Sequence, residues 1–101
     1  MATKVFERFE RTRITHVAVR FHGGLYSLPA PNRHNDVVRE IVKKTGARWT
    51  EVAQGPEDDF GFLDEGGHYL RRAQALMSAA LFDQLKDPKK QGNHLYSEDI
   101  W

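Results

Sequence analysis

The sequence predicts an α+β domain: a small, mainly antiparallel sheet of two hairpins packed with two helices. Three observations predict it. "ITHVAVRFH" and "LYSLP" are β-type runs split by Gly23-Gly24. "FGFLDEGGHYL" repeats the pattern of run, turn and run. "HNDVVREIV" and "RRAQALMSAALFDQLKD" carry apolar residues at helical spacing. Runs of strands followed by single helices, without a βαβ alternation, place the chain in the α+β class.

The first hairpin is read from alternation. Val17, Val19 and Phe21 share one face; His16, Arg20, His22 and Ser27 gather on the other. A turn at Gly23-Gly24 pairs His22 with Leu25, Phe21 with Tyr26 and Val19 with Leu28, which continues the apolar face across both strands. Pro29 and Pro31 end the second strand. The first helix follows, with Asn32 or Asn35 as its cap and Val37, Val38, Ile41 and Val42 as its stripe. Lys43 and Lys44 suit its last turn and Gly46 its stop. "ARWTEVA" reads as a short strand and "QGPEDD" as a loop. The second hairpin runs from Phe60–Leu63 through Asp64-Glu65-Gly66-Gly67 to His68–Leu70. The last helix has a stripe of Ala73, Leu76, Met77, Ala80, Leu81 and Leu85, with Pro88 as its stop. Residues 1–13 form an N-terminal arm, with Val5, Phe6 and Phe9 among alternating charges. That pattern suits a short amphipathic helix, an edge strand or a loose segment. Residues 14–101 make a single globular domain whose C-terminal tail is docked through Trp101.

Composition narrows the function classes. No apolar run approaches the roughly 20 residues that cross a bilayer. The charged start "MATKVFERFERTR" is not a secretory signal. The absence of cysteine excludes disulfides and thiolate chemistry and fits a cytoplasmic protein. A net charge of +1 argues against a dedicated nucleic-acid binder. That small total hides a pattern. Lys and Arg dominate residues 1–48, whereas Glu51, Glu57, Asp58, Asp59, Asp64 and Glu65 form an acidic stretch with no base. The pattern allows a local basic pocket and an acidic, partner-facing edge. Scattered histidines and the lack of Walker, Rossmann or nucleophile-elbow motifs imply no metal and no cofactor. The sequence leaves self-association open.

Three constellations carry candidate chemistry. Arg33 and His34 stand where the first helix begins, a place that suits anions; the alternative is a solvated arginine and a core-edge histidine bonded to a carbonyl. Arg20 and His22 lie on the polar sheet face, which is either a ligand surface or solvated. His68 and Arg72 flank the start of the last helix, where two arginines oppose the helix dipole and call for a nearby acid. Asp64, Glu65, the tail carboxylates Glu98 and Asp99, or an anionic ligand can supply it. A hydrolase would use His34 as base with Asp36 or Asp64.

"GLYSLPAPNRHNDVV", "GFLDEGGHYLRRAQA" and the terminal "LYSEDIW", in this order and at this spacing, resemble a family of small proteins of tailed phages and prophages. The resemblance implies a setting, the cytoplasm of an infected bacterium, and no activity. Arg33, His34 and Arg72 fit the family pattern, whereas the position of His68 is more often arginine there. The expected function is that of a phage accessory protein acting against host defence by binding. One form of it sequesters a phosphate-bearing small molecule such as a nucleotide signal through Arg33, His34, Arg20, His22, Arg72 and His68. The other is an anti-CRISPR-like inhibitor that meets a host defence protein through Asp58 and Asp59.

Overall fold

The computed structural model describes residues 13–101. All of the expected arm except Arg13 lies outside the described residues. Four strands form one antiparallel sheet: β1 (Ile14–Phe21), β2 (Gly24–Pro29), β3 (Phe60–Asp64) and β4 (Tyr69–Leu70), in the order β2-β1-β3-β4. Three helices accompany it: α1 (His34–Thr45), α2 (Trp49–Ala53) and α3 (Arg72–Leu81). The fold is α+β.

The first hairpin turns one residue earlier than the two glycines suggest. His22 (φ 48°) and Gly23 (φ 79°) take the two left-handed turn positions, and Phe21 pairs with Gly24. Val19 then faces Tyr26 and Val17 faces Leu28. Moving the turn by one residue moves every partner by two, so each side chain keeps its face. The twist of the strands favours a turn with two positive φ values. The Phe21 and His22 rings stack there with centroids 4.0 Å apart.

Val17, Val19, Phe60, Phe62 and Leu70 line one face of the sheet and join Val37, Val38, Ile41, Ala75 and Ala79 in a single core. On the opposite face Gly61 has no side chain because the Tyr69 ring lies against it. A Cβ there would come within 2.7 Å of that ring and 2.3 Å of the Leu70 carbonyl oxygen.

Each helix departs from the sequence reading. Neither asparagine caps α1. Arg33 occupies the N-cap, and the Asp36 carboxylate accepts its N–H at 2.8 Å. The Asn32 amide instead donates to the Pro29 carbonyl. "ARWTEVA" is helix rather than strand. Glu51 accepts the Arg48 N–H, and the one-turn α2 buries Val52 against the core. The fully buried residues of α3 are Ala75, Ser78 and Ala79, while Leu76 of the expected stripe packs partly against the core. Met77 is 57% exposed and Leu81 72%, because small side chains let the helix approach the sheet closely. The helix also stops at Leu81, well before Pro88. Asp83 adopts a left-handed conformation (φ 59°), and the N–H groups of Asp83 and Gln84 return to the carbonyls of Ala80 and Ala79. That is a Schellman closure with aspartate in place of glycine.

Gln84 then acts as a short surrogate strand. Its amide accepts the Ile14 N–H at 2.8 Å and donates to the Ile14 carbonyl at 3.0 Å, where the β1–β3 register is interrupted. The C-terminal segment crosses back over the helix starts. Leu95 is fully buried, and the indole N–H of Trp101 donates to the Asn32 carbonyl at 2.7 Å.

Candidate functional site

The strongest candidate is a chamber of about 300 Å³ lined by Arg33, His34, Asn35, Arg72, Tyr96, Ser97 and Glu98. Three parts of the chain build it. The start of α1 supplies Arg33 at the N-cap with His34 and Asn35; the start of α3 supplies Arg72; the 3-10 turn Ser97–Asp99 and the residue before it supply the rest.

Arg33 is held by the tail, since its Nη2 donates to the main-chain oxygen of Trp101. Its Nη1 is buried and has no hydrogen-bond partner among the described residues. Arg72 is held in a similar way: Nη1 donates to the Leu95 carbonyl at 2.8 Å, and the guanidinium carbon lies 4.7 Å from the centre of the Tyr96 ring. Partial burial pulls the Arg72 guanidinium below its ordinary pKa, with Tyr96, Glu57 and Glu98 offsetting the effect. A partly desolvated cation gains more from an anionic neighbour than an exposed one does.

His34 takes the core-edge role. Its ring meets Phe62 edge-on at 5.0 Å, and Nε2 lies 2.8 Å from the Gly61 carbonyl oxygen. A carbonyl only accepts, so Nε2 carries the hydrogen and Nδ1 of the neutral ring is an acceptor. Burial lowers the His34 pKa to about 4, against an opposing contribution from that hydrogen bond. The imidazole is therefore uncharged at neutral pH and adds no cation to the chamber. Its hydrogen bond goes to Gly61, not to Asp36 or Asp64. Asp36 is engaged by the Arg33 N–H, which holds its carboxyl below the usual carboxylate value, and by Arg39. Asp64 accepts the N–H groups of Gly66 and His68.

Three of the six expected ligand residues thus come together: Arg33, His34 and Arg72. The other three lie elsewhere. Arg20 rests on the outer sheet face, its guanidinium carbon 3.9 Å above the Tyr69 ring. His22 sits in the first hairpin turn, and His68 faces Asp64 at 3.1 Å across the second. Alternation along β1 separates Arg20 from the helix-covered face, so it cannot join the chamber. Of the acids expected to answer Arg71 and Arg72, Glu98 shares the chamber with Arg72, whereas the ion pairs fall elsewhere. Asp58 lies 3.8 Å from Arg71, Asp99 pairs with Lys90 at 3.0 Å, and Arg72 satisfies a carbonyl.

Asn35, Tyr96 and Ser97 are chamber residues that the sequence reading did not single out as a site. The signal for the last two was the "LYSEDIW" block, whose path over both helix starts has no periodicity to betray it. Among the described residues, no three His, Asp or Glu side chains cluster as metal ligands would, and no helix is long and apolar enough to cross a membrane.

No curated protein and no solved structure matches the chain. Residues 13–101 do match the family model described as phage T4 y16D protein. Because that match spans the sheet, both helix starts and the closing tail, the chain belongs to this phage protein family.

Proposed function

We propose that this is a phage accessory protein that works by binding, and that it captures a small phosphate-bearing molecule in the chamber between the starts of α1 and α3. One observation carries the reading. Arg33 and Arg72, from distant parts of the chain, are fixed by main-chain oxygens on the rim of one open chamber. An anion in the chamber would neutralise two partly desolvated charges. The Asn35 amide and the Ser97 hydroxyl are further donors along the same wall. Glu98 opposes them, and its charge sets an upper limit on affinity for a dianion. In a phage protein, a host nucleotide signal is a fitting ligand, and its capture would make the protein an anti-defence factor.

Calorimetric titration with ribose 5-phosphate and with nucleotides tests the reading. Wild-type protein is expected to give binding heat, and Arg72→Ala and Arg33→Ala to lose most of it. Circular dichroism would verify that both variants remain folded. Equal heats for wild type and variants, or no heat with any of these ligands, would remove the idea.

A second reading rests on the exposed acids of the 3-10 turn Glu57–Asp59. The Asp58 carboxylate is 73% exposed, which suits docking on a basic groove of a host defence protein. Under that reading Asp58→Lys with Asp59→Lys abolishes capture of the host protein from a lysate; indifference to the charge reversal counts against it.

A further inference from the structure

A second chamber of about 320 Å³ adjoins the first, and the two share His34, Asn35, Arg72 and Tyr96 as lining residues. Their remaining walls differ in chemistry. The first adds Arg33, Ser97 and Glu98. The second adds Val38, Ala53, Gly55 and Phe60, with Glu57 as its one further polar group. A charged half and an apolar half, joined through common walls, call for a ligand of matching asymmetry. Each half alone is near the lower size bound of small-molecule pockets, about 300 Å³. Together they offer room for a molecule larger than phosphate or a sugar phosphate.

We infer that the two chambers are halves of one nucleotide site, with phosphate against Arg33 and Arg72 and the base between Val38, Ala53 and Phe60. This rests on the anion reading above and specifies its ligand class. Three features favour a base over an aliphatic group. The Phe60 ring and the His34 ring stand on this wall 6.2 Å apart, offering aromatic surfaces to a flat partner. The Glu57 carboxylate is an acceptor suited to the amino and ring N–H groups of a purine. His34 Nδ1, left as an acceptor by the bond from Nε2 to Gly61, is a second. Tyr96 lies on the boundary of the two halves, where a ribose would cross.

The experiment compares inorganic phosphate, ribose 5-phosphate, AMP and GMP by calorimetry on the full chain, then repeats the series with Ala53→Leu. That substitution adds bulk in the apolar half and leaves the arginine half untouched. At least one nucleotide is expected to bind about tenfold or more tighter than ribose 5-phosphate, as base contacts of this kind give. Ala53→Leu is expected to erase that gain while ribose 5-phosphate binding stays as in wild type. Nucleotides no tighter than ribose 5-phosphate would overturn the inference and leave the anion reading standing. Absence of binding by all four ligands would overturn both. The wild-type comparison decides the matter even where Ala53→Leu fails to fold.

Discussion

At the scale of single residues, His34 shows how burial decides chemistry. Its position at the start of α1 left two readings, a proton carrier and a core-edge histidine bonded to a carbonyl, and the ring takes the second, between the Gly61 carbonyl and Phe62. The folded-state pKa of about 4 lies below the ordinary 6.5. Between those values the unfolded chain binds more protons than the folded one, so stability rises with pH there and falls as pH drops from 6.5 toward 4. The displacement corresponds to a ceiling of about 3 kcal/mol. Urea denaturation at pH 7 and pH 4.5 is expected to show this loss in wild type and a smaller one in His34→Gln. An identical pH dependence in both proteins would refute the assignment. Gly61 makes a second residue-scale prediction. Backbone and ring atoms both crowd the position of a Cβ, so Gly61→Ala is expected to lower stability by ~2 kcal/mol or more, read as a shift in the denaturation midpoint. The core-edge, carbonyl-bonded role of His34 was one of the two readings its sequence position allowed; its partner Gly61, and the crowding at Gly61 itself, were not legible, because those neighbours come from distant positions. Arg33 and Arg72 were legible for the opposite reason. Arginines at helix starts oppose the local dipole, and that conflict is visible in one dimension.

At the scale of elements, the sheet and α1 follow from periodicity, while α3 shows where periodicity misleads. Its stripe of Ala73, Leu76, Met77, Ala80, Leu81 and Leu85 has good helical spacing, and Leu76 and Leu85 do pack against the core, but the helix is rotated so that Ala75, Ser78 and Ala79 are its buried residues. Size rather than hydrophobicity selects the buried face, since α3 lies close to strands already filled by Phe60 and Phe62. The consequence is testable. Ala79→Leu is expected to destabilise by about 1–3 kcal/mol through overpacking. Leu81→Lys should change stability by no more than about 0.5 kcal/mol. Comparable losses for both would mean the helix is rotated differently. The end of α3 was hidden as well. Pro88 is an obvious stop, but the left-handed Asp83 and the Gln84 clamp on Ile14 act first. Gln84→Ala removes two hydrogen bonds at the start of β1 and is expected to cost about 1–2 kcal/mol. Hydrogen exchange at residues 14–16 would report the same loss locally.

At the scale of the whole molecule, the tail determines whether a site exists. Without residues 95–101 the two helix starts would lack Tyr96, Ser97 and Glu98, and both arginines would lose the main-chain oxygens that fix them. Leu95 anchors this segment in the core, so Leu95→Ala is expected to cost about 2–5 kcal/mol and to weaken ligand binding with it. Charge acts at this scale too. Glu98→Gln removes the carboxylate from the charged chamber and is expected to strengthen anion binding several-fold, whereas charge changes at Arg20 or His68, outside the chamber, leave it unchanged. The α+β class could be read from the order of strands and helices. Convergence of the candidate residues could not, because it depends on how an aperiodic tail packs across two helix ends.

The most direct measurement is a two-dimensional amide NMR titration of the full chain with ribose 5-phosphate. Progressive shifts are expected at His34, Asn35, Arg72 and residues 96–98, with His22 and His68 unmoved. No shift at any of the first group, or shifts confined to the lysine-containing segment 86–90, would contradict the claim that Arg33 and Arg72 form an accessible anion site.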